Sequence, residues 1–195
     1  MTRYGKLCGQ PTSTAPAGEF AFPNFTFTAP NGEMAWAQMG YRRTRVEGTT
    51  QPQDFLYAEL GSRINGADTV RKLASVELAP GEGTTHTYRC DLDETTGKCF
   101  YFYDDIAWGE LQLDYWKNKF GTSLEWKGEI VNKQDDMPGT AADKCRFTDC
   151  QYREIGEQYH DAGLEQTRVT SDDPEEWGAE WVSGTAFNIW DKKPL

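Results

Sequence analysis

The chain has 195 residues, a length that suits one domain with its own continuous core. Its 31 Asp and Glu against 20 Lys and Arg give a net charge of −11, so the phosphate-neutralising field of a nucleic-acid binder is missing and no nucleic-acid partner is expected. Ten Phe, seven Trp and nine Tyr outnumber the 22 Leu, Ile and Val, a bias that suits half-buried sheet faces better than helical cores, and no apolar run nears the roughly 20 residues of a membrane span.

The expected fold is therefore all-β, an antiparallel β-sandwich of two sheets without membrane insertion. The N-terminus, Met1-Thr2-Arg3-Tyr4-Gly5-Lys6-Leu7-Cys8, has a basic pair and then Pro, Thr and Gly where a secretory signal needs an apolar stretch, so no signal peptide is visible in this numbering. Residues 1–19, with Pro11 and Pro16, read as an extended arm. From Phe20 a period-two pattern runs through Phe22, Phe25 and Phe27, interrupted at Pro23-Asn24 and stopped by Pro30-Asn31-Gly32.

Further strands are expected over 34–46, 54–60, 70–78, 85–103, 111–116, 124–132 and 145–152, with turn signals at Asn65-Gly66, Pro80-Gly81, Thr96-Gly97 and Pro138-Gly139. This places the sandwich domain at 20–170. Residues 171–195 form an aromatic tail, in which Ser171-Asp172-Asp173-Pro174-Glu175-Glu176 is expected to cap a short helix through Trp177 and Trp181. Its aromatics either pack on the sandwich or, as Trp177, Trp181 and Trp190, dock a protein surface or neighbouring subunit.

Cys90 and Cys99 bracket a hairpin turn and Cys145 and Cys150 form a second close pair, leaving Cys8 over. Disulfides, with Cys8 free or completing another pairing, are expected ahead of zinc, whose structural sites use tighter C-x2-C knuckles, with reduced buried thiols as a third alternative. The loop Asp91-x-Asp93-Glu94-x-x-Gly97 echoes a calcium loop but lacks its twelfth-position glutamate, and reads as an acidic turn. Asn24-Phe25-Thr26 fits a glycosylation acceptor by sequence alone. No nucleophile elbow or phosphate loop occurs, only His86 and His160 are available for a triad or a metal, and no cofactor or metal is expected.

Two segments carry candidate chemistry. In Ala35-Trp36-Ala37-Gln38-Met39-Gly40-Tyr41, alternation puts Trp36, Gln38 and Gly40 on one strand face, and in Leu124-Glu125-Trp126-Lys127-Gly128-Glu129-Ile130-Val131, Glu125, Lys127 and Glu129 share a face. A Gln-x-Gly strand followed about 90 residues later by Trp-x-x-Glu and a Pro-Gly turn resembles the glutamic peptidases of the eqolisin type. It is also similar to neprosin-like proteins, over roughly residues 34–152. The resemblance implies a jelly-roll or concanavalin-like sandwich. It sets Gln38 on the eqolisin glutamine, Glu129 on the glutamate, Trp126 on the preceding aromatic, and Met137-Pro138-Gly139 on the neprosin-like turn. Glu59, in the intervening strand, is assigned no role.

If the dyad is catalytic, Glu129 acts as general base on a water shared with Gln38, whose amide donates to the oxyanion, and Trp36, Tyr41 and Trp126 bind the substrate. Three functions stand. The first is a non-enzymatic binding or structural module displayed on a surface, such as a phage decoration or tail protein, extracellular or on the virion. The second is an acid-active glutamic endopeptidase taking unfolded peptide. The third is a lectin-like domain stacking a glycan on its aromatic face.

Overall fold

The computed structural model describes residues 2–8, 19–45, 52–74, 85–119, 123–130, 138–153, 156–163 and 171–192, of which 2–8, 19–23, 45, 52 and 72–74 are described as backbone only. These residues form thirteen strands in two antiparallel sheets, with no α-helix among them. The strands are β1 (Thr2–Cys8), β2 (Glu19–Thr28), β3 (Met34–Arg45), β4 (Pro52–Ile64), β5 (Ala67–Ala74), β6 (Thr85–Asp93) and β7 (Lys98–Tyr103). They continue with β8 (Ile106–Gln112), β9 (Ser123–Ile130), β10 (Cys145–Arg153), β11 (His160–Asp161), β12 (Trp177–Ser183) and β13 (Ala186–Asp191).

The larger sheet runs β12-β13-β10-β1-β6-β7-β8, with β11 paired to β10, and the smaller runs β5-β4-β3-β2-β9. The two pack face to face: β8 lies against β4 and β5, and β6 against β2 and β3. Period-two alternation produces the shared core, because β3 turns Ala35, Ala37, Met39 and Tyr41 inward while β6 and β7 answer with Tyr88, Cys90, Leu92, Cys99 and Tyr101. A single 3-10 turn at Asp114–Trp116 inserts the fully buried Trp116 edge-on against Phe25, ring centroids 5.6 Å apart. Burying one such aromatic is worth about 1.5–3 kcal/mol.

Several expectations change. Residues 1–19, read as an arm, contribute β1, which is hydrogen-bonded between β10 and β6 in the interior of the larger sheet. Pro and Gly around it hide the strand, whose extended backbone is used as ladder. β2 also runs unbroken through Pro23, because its β3 ladder skips Phe22 and Pro23, where a residue without an N–H can sit. The helix expected after Ser171 is absent. A short turn over Asp173–Trp177 leads straight into β12, whose Trp177, Ala179 and Trp181 pair with Asp191, Ile189 and Phe187 of β13. Alternating aromatics and Gly178 suit that hairpin, and pairing along β13 outweighs the helix-capping signal. The strand expected at 111–116 is displaced to Ile106–Gln112.

The cysteine expectation is corrected as well. Cys90, Cys99, Cys145 and Cys150 are buried thiols. In the hairpin register Cys90 faces Tyr101 and Cys99 faces Leu92, so the two sulfurs are offset along the ladder instead of opposed. Between Tyr4 and Lys6 the β1–β10 register slips, leaving Asp149 at φ 50° as a bulge that turns Cys150 inward. Asn65-Gly66 is the expected tight turn, with both residues at positive φ (50° and 76°). The Pro80-Gly81 turn and Met137 lie outside the described residues. No helix among the described residues is long and apolar enough to cross a membrane.

Candidate functional site

The outer face of the smaller sheet carries Trp36, Gln38 and Glu129 among the residues singled out from sequence. Trp36, Gln38 and Gly40 of β3 face outward, while Tyr41 faces the core and is 2 % exposed. The ladder sets Gln38 opposite Asn24 of β2 and Glu59 of β4, and sets Asn24 opposite Glu125 of β9. One row across four strands thus reads Glu125, Asn24, Gln38, Glu59. Asn24 is only 4 % exposed, which removes it as a glycosylation site, and its Nδ2 donates to Glu125 Oε2 at 3.1 Å and to Thr26 Oγ1 at 3.2 Å.

Trp36 is held in place by two features. Its Nε1 donates to Glu59 Oε1 at 2.7 Å, and its indole lies across Gly61, where a Cβ would sit 2.3 Å from the ring. At the other end of the face, Lys127 Nζ lies 3.4 Å from Glu125 Oε2 and 3.3 Å from Glu129 Oε2. Burial raises the Tyr57 hydroxyl well above its usual pKa, helped by the charges of Glu129 and Glu59.

The expected dyad is not directly paired. Glu129 pairs with Phe20 of β2, which pairs with Arg42 of β3, so it sits two strands and four residues from Gln38. On a flat sheet that separation is about 16 Å between backbones, whereas Glu125 shares the Gln38 row. Trp126 faces the interior, packed against the core, on the opposite side of β9 from Glu125 and Glu129. The substrate-binding trio expected from sequence is therefore divided, with Trp36 outside and Tyr41 and Trp126 inside. Glu59, Asn24 and Glu125 complete the outer row. Only the ladder register reveals them, because their partners are distant in sequence.

A second feature lies at the open edge of the sandwich. β9 ends the smaller sheet, and the β12–β13 hairpin extends the larger one opposite it. Between them is a groove of about 490 Å³ lined along the whole of β9 by Leu124–Ile130 and across from it by Trp177, Trp181, Phe187 and Ile189. Phe187 stacks on Phe147 at 4.6 Å, and Trp181 meets Phe187 edge-on at 6.1 Å, so this wall is a continuous aromatic cluster. Trp190 is on the opposite face of β13, its indole laid across Gly178 with Lys144 Nζ 4.2 Å from the ring centroid. Of the three tail tryptophans, two line the groove and one does not.

Three polar atoms on groove residues are buried with no hydrogen-bond partner among the described residues: Trp126 Nε1, Trp177 Nε1 and Ser171 Oγ. The acidic hairpin is a closed turn, Asp93 Oδ1 accepting from the backbone of Thr95 at 2.9 Å and Oδ2 from Thr96 Oγ1 at 2.7 Å. No cluster of metal-ligating side chains occurs among the described residues. No known protein family matches the chain, and no curated protein matches it.

Proposed function

We propose that the chain is a non-enzymatic binding module whose recognition site is the groove between β9 and the β12–β13 hairpin. What carries this reading is an aromatic cleft of about 490 Å³ at the open edge of the sandwich, walled by β9 on one side and by Trp177, Trp181 and Phe187 on the other. Concave, mostly apolar clefts of this size with a few polar groups are where proteins take up ligands. With Cys90, Cys99, Cys145 and Cys150 as buried thiols, the binding reading is independent of compartment.

The test is to probe immobilised peptide and glycan arrays with the wild-type chain and with Trp181→Ala, each checked for folding by circular dichroism. Retention that the variant loses supports the reading. Retention unchanged in Trp181→Ala and in Trp177→Ala overturns it.

A second reading, acid-active glutamic peptide hydrolysis, is favoured by the row that places Gln38 beside Glu59 and one strand from the Asn24–Glu125 pair. In that reading a carboxylate of the row is the general base and the Gln38 amide stabilises the oxyanion. Digestion of an unfolded protein at about pH 3–4, where a glutamate of ordinary pKa is partly ionised, separates the two. Cleavage lost in Glu125→Gln or Glu59→Gln would establish the hydrolase and displace the binding module.

A further inference from the structure

We infer that the occupant of the groove is an extended polypeptide segment that adds as a strand to the edge of β9, with basic and apolar residues alternating along it. This inference rests on the groove being the recognition site and goes further by naming what enters it.

Two observations converge on a strand. β9 ends its sheet, and no strand pairs with its outer edge among the described residues, so that edge offers a row of backbone donors and acceptors at strand spacing. The groove follows β9 over its full length from Leu124 to Ile130, the footprint of a parallel-lying chain more than of a compact molecule.

The side-chain chemistry follows from the two faces of β9. Residues of an added strand on the inner face would lie beside Trp126 and opposite Trp177, Trp181 and Phe187, an apolar setting. Those on the outer face would lie beside Glu125, Lys127 and Glu129, where two carboxylates share a single lysine. Asp172 on the groove wall adds to that negative field, as does the net charge of −11. A segment with Lys or Arg at alternate positions is complementary to this edge, and an acidic one is not.

The experiment uses the full chain and a terminally blocked seven-residue peptide of alternating lysine and valine, followed by calorimetry. Two control peptides replace lysine by glutamate or carry N-methyl groups on alternate backbone amides, which block strand pairing while keeping the side chains. The expected result is saturable binding of the lysine peptide, weakened at least about tenfold in both controls.

Equal binding of the N-methylated peptide would overturn strand addition. Binding of a glycan but no peptide, sensitive to Trp181→Ala, would overturn the inference while leaving the groove as the recognition site. Sedimentation showing a dimer that the lysine peptide does not dissociate would assign the edge to a second copy of the chain and also overturn it. If neither peptide nor glycan binds to a folded chain, inference and binding reading fail together.

Discussion

Tyr101, fully buried on β7 of the larger sheet, donates its hydroxyl across the sandwich to the backbone carbonyl of Glu59 on β4, 2.9 Å away. The same Glu59 receives the Trp36 indole on the far side of its sheet. One residue thus ties the core to the outer polar row, through its main chain on one face and its carboxylate on the other. Tyr101→Phe should lower stability by about 1 kcal/mol, the usual net worth of one hydrogen bond, measured as the shift in urea midpoint at unchanged m-value.

Gly61 sets the position of Trp36. A methyl group there would collide with the indole at 2.3 Å, and the strand backbone beneath it is paired on both sides, so the ring must move. Gly61→Ala should cost about 1–3 kcal/mol, as overpacking does. It should also shift the tryptophan emission as Trp36 loses Glu59, whereas Gly184→Ala, which meets nothing within 4 Å, should do neither.

The core tyrosines make the fold sensitive to alkali. Burial raises Tyr57, Tyr88 and Tyr101 well above the usual phenol value, and burial with the Asp104 charge pushes Tyr103 up to about 12. Because the folded values exceed the unfolded one near 10, the stability these groups contribute is fully present below that pH and is lost as pH rises through the folded values. Absorbance at 295 nm and pH 11 should report fewer than nine tyrosinates in the folded chain and all nine in urea. The urea midpoint should fall between pH 9 and 11.

The thiols should be inert while the chain is folded. Cys90, Cys99, Cys145 and Cys150 are each at most 1 % exposed, and burial raises the Cys150 thiol further above its ordinary range, with the Asp149 charge adding to it. Thiolate is the reactive form, so alkylation by iodoacetamide at pH 8 should spare all four and modify them once denaturant is added, read by peptide mass mapping. Modification of Cys150 alone in the folded state would mean that the groove opens to its floor, since Cys150 also lines it.

The β12 segment shows why some elements were legible and others were not. Ser171 to Glu176 carries a local capping signal that would start a helix in isolation, but Trp177, Ala179 and Trp181 find partners on β13 and, through it, on β10, so ladder and core contacts prevail. β1 escaped notice for the opposite reason. Its local composition signals nothing, and its place between β10 and β6 comes from residues more than 75 positions away.

The chain's own composition and alternation determined the all-β class, the two-sheet sandwich, the shared face of Trp36, Gln38 and Gly40 and the turn at Asn65-Gly66, because period-two patterning and turn chemistry act over a few neighbouring residues. Only the tertiary structure decided the register. It set Glu125 and Glu59 in the Gln38 row and left Glu129 four residues along, turned Trp126 inward, and separated Trp190 from Trp177 and Trp181. Register depends on which distant strand satisfies each backbone and buries each face, and that is a property of the assembled sheets rather than of any segment.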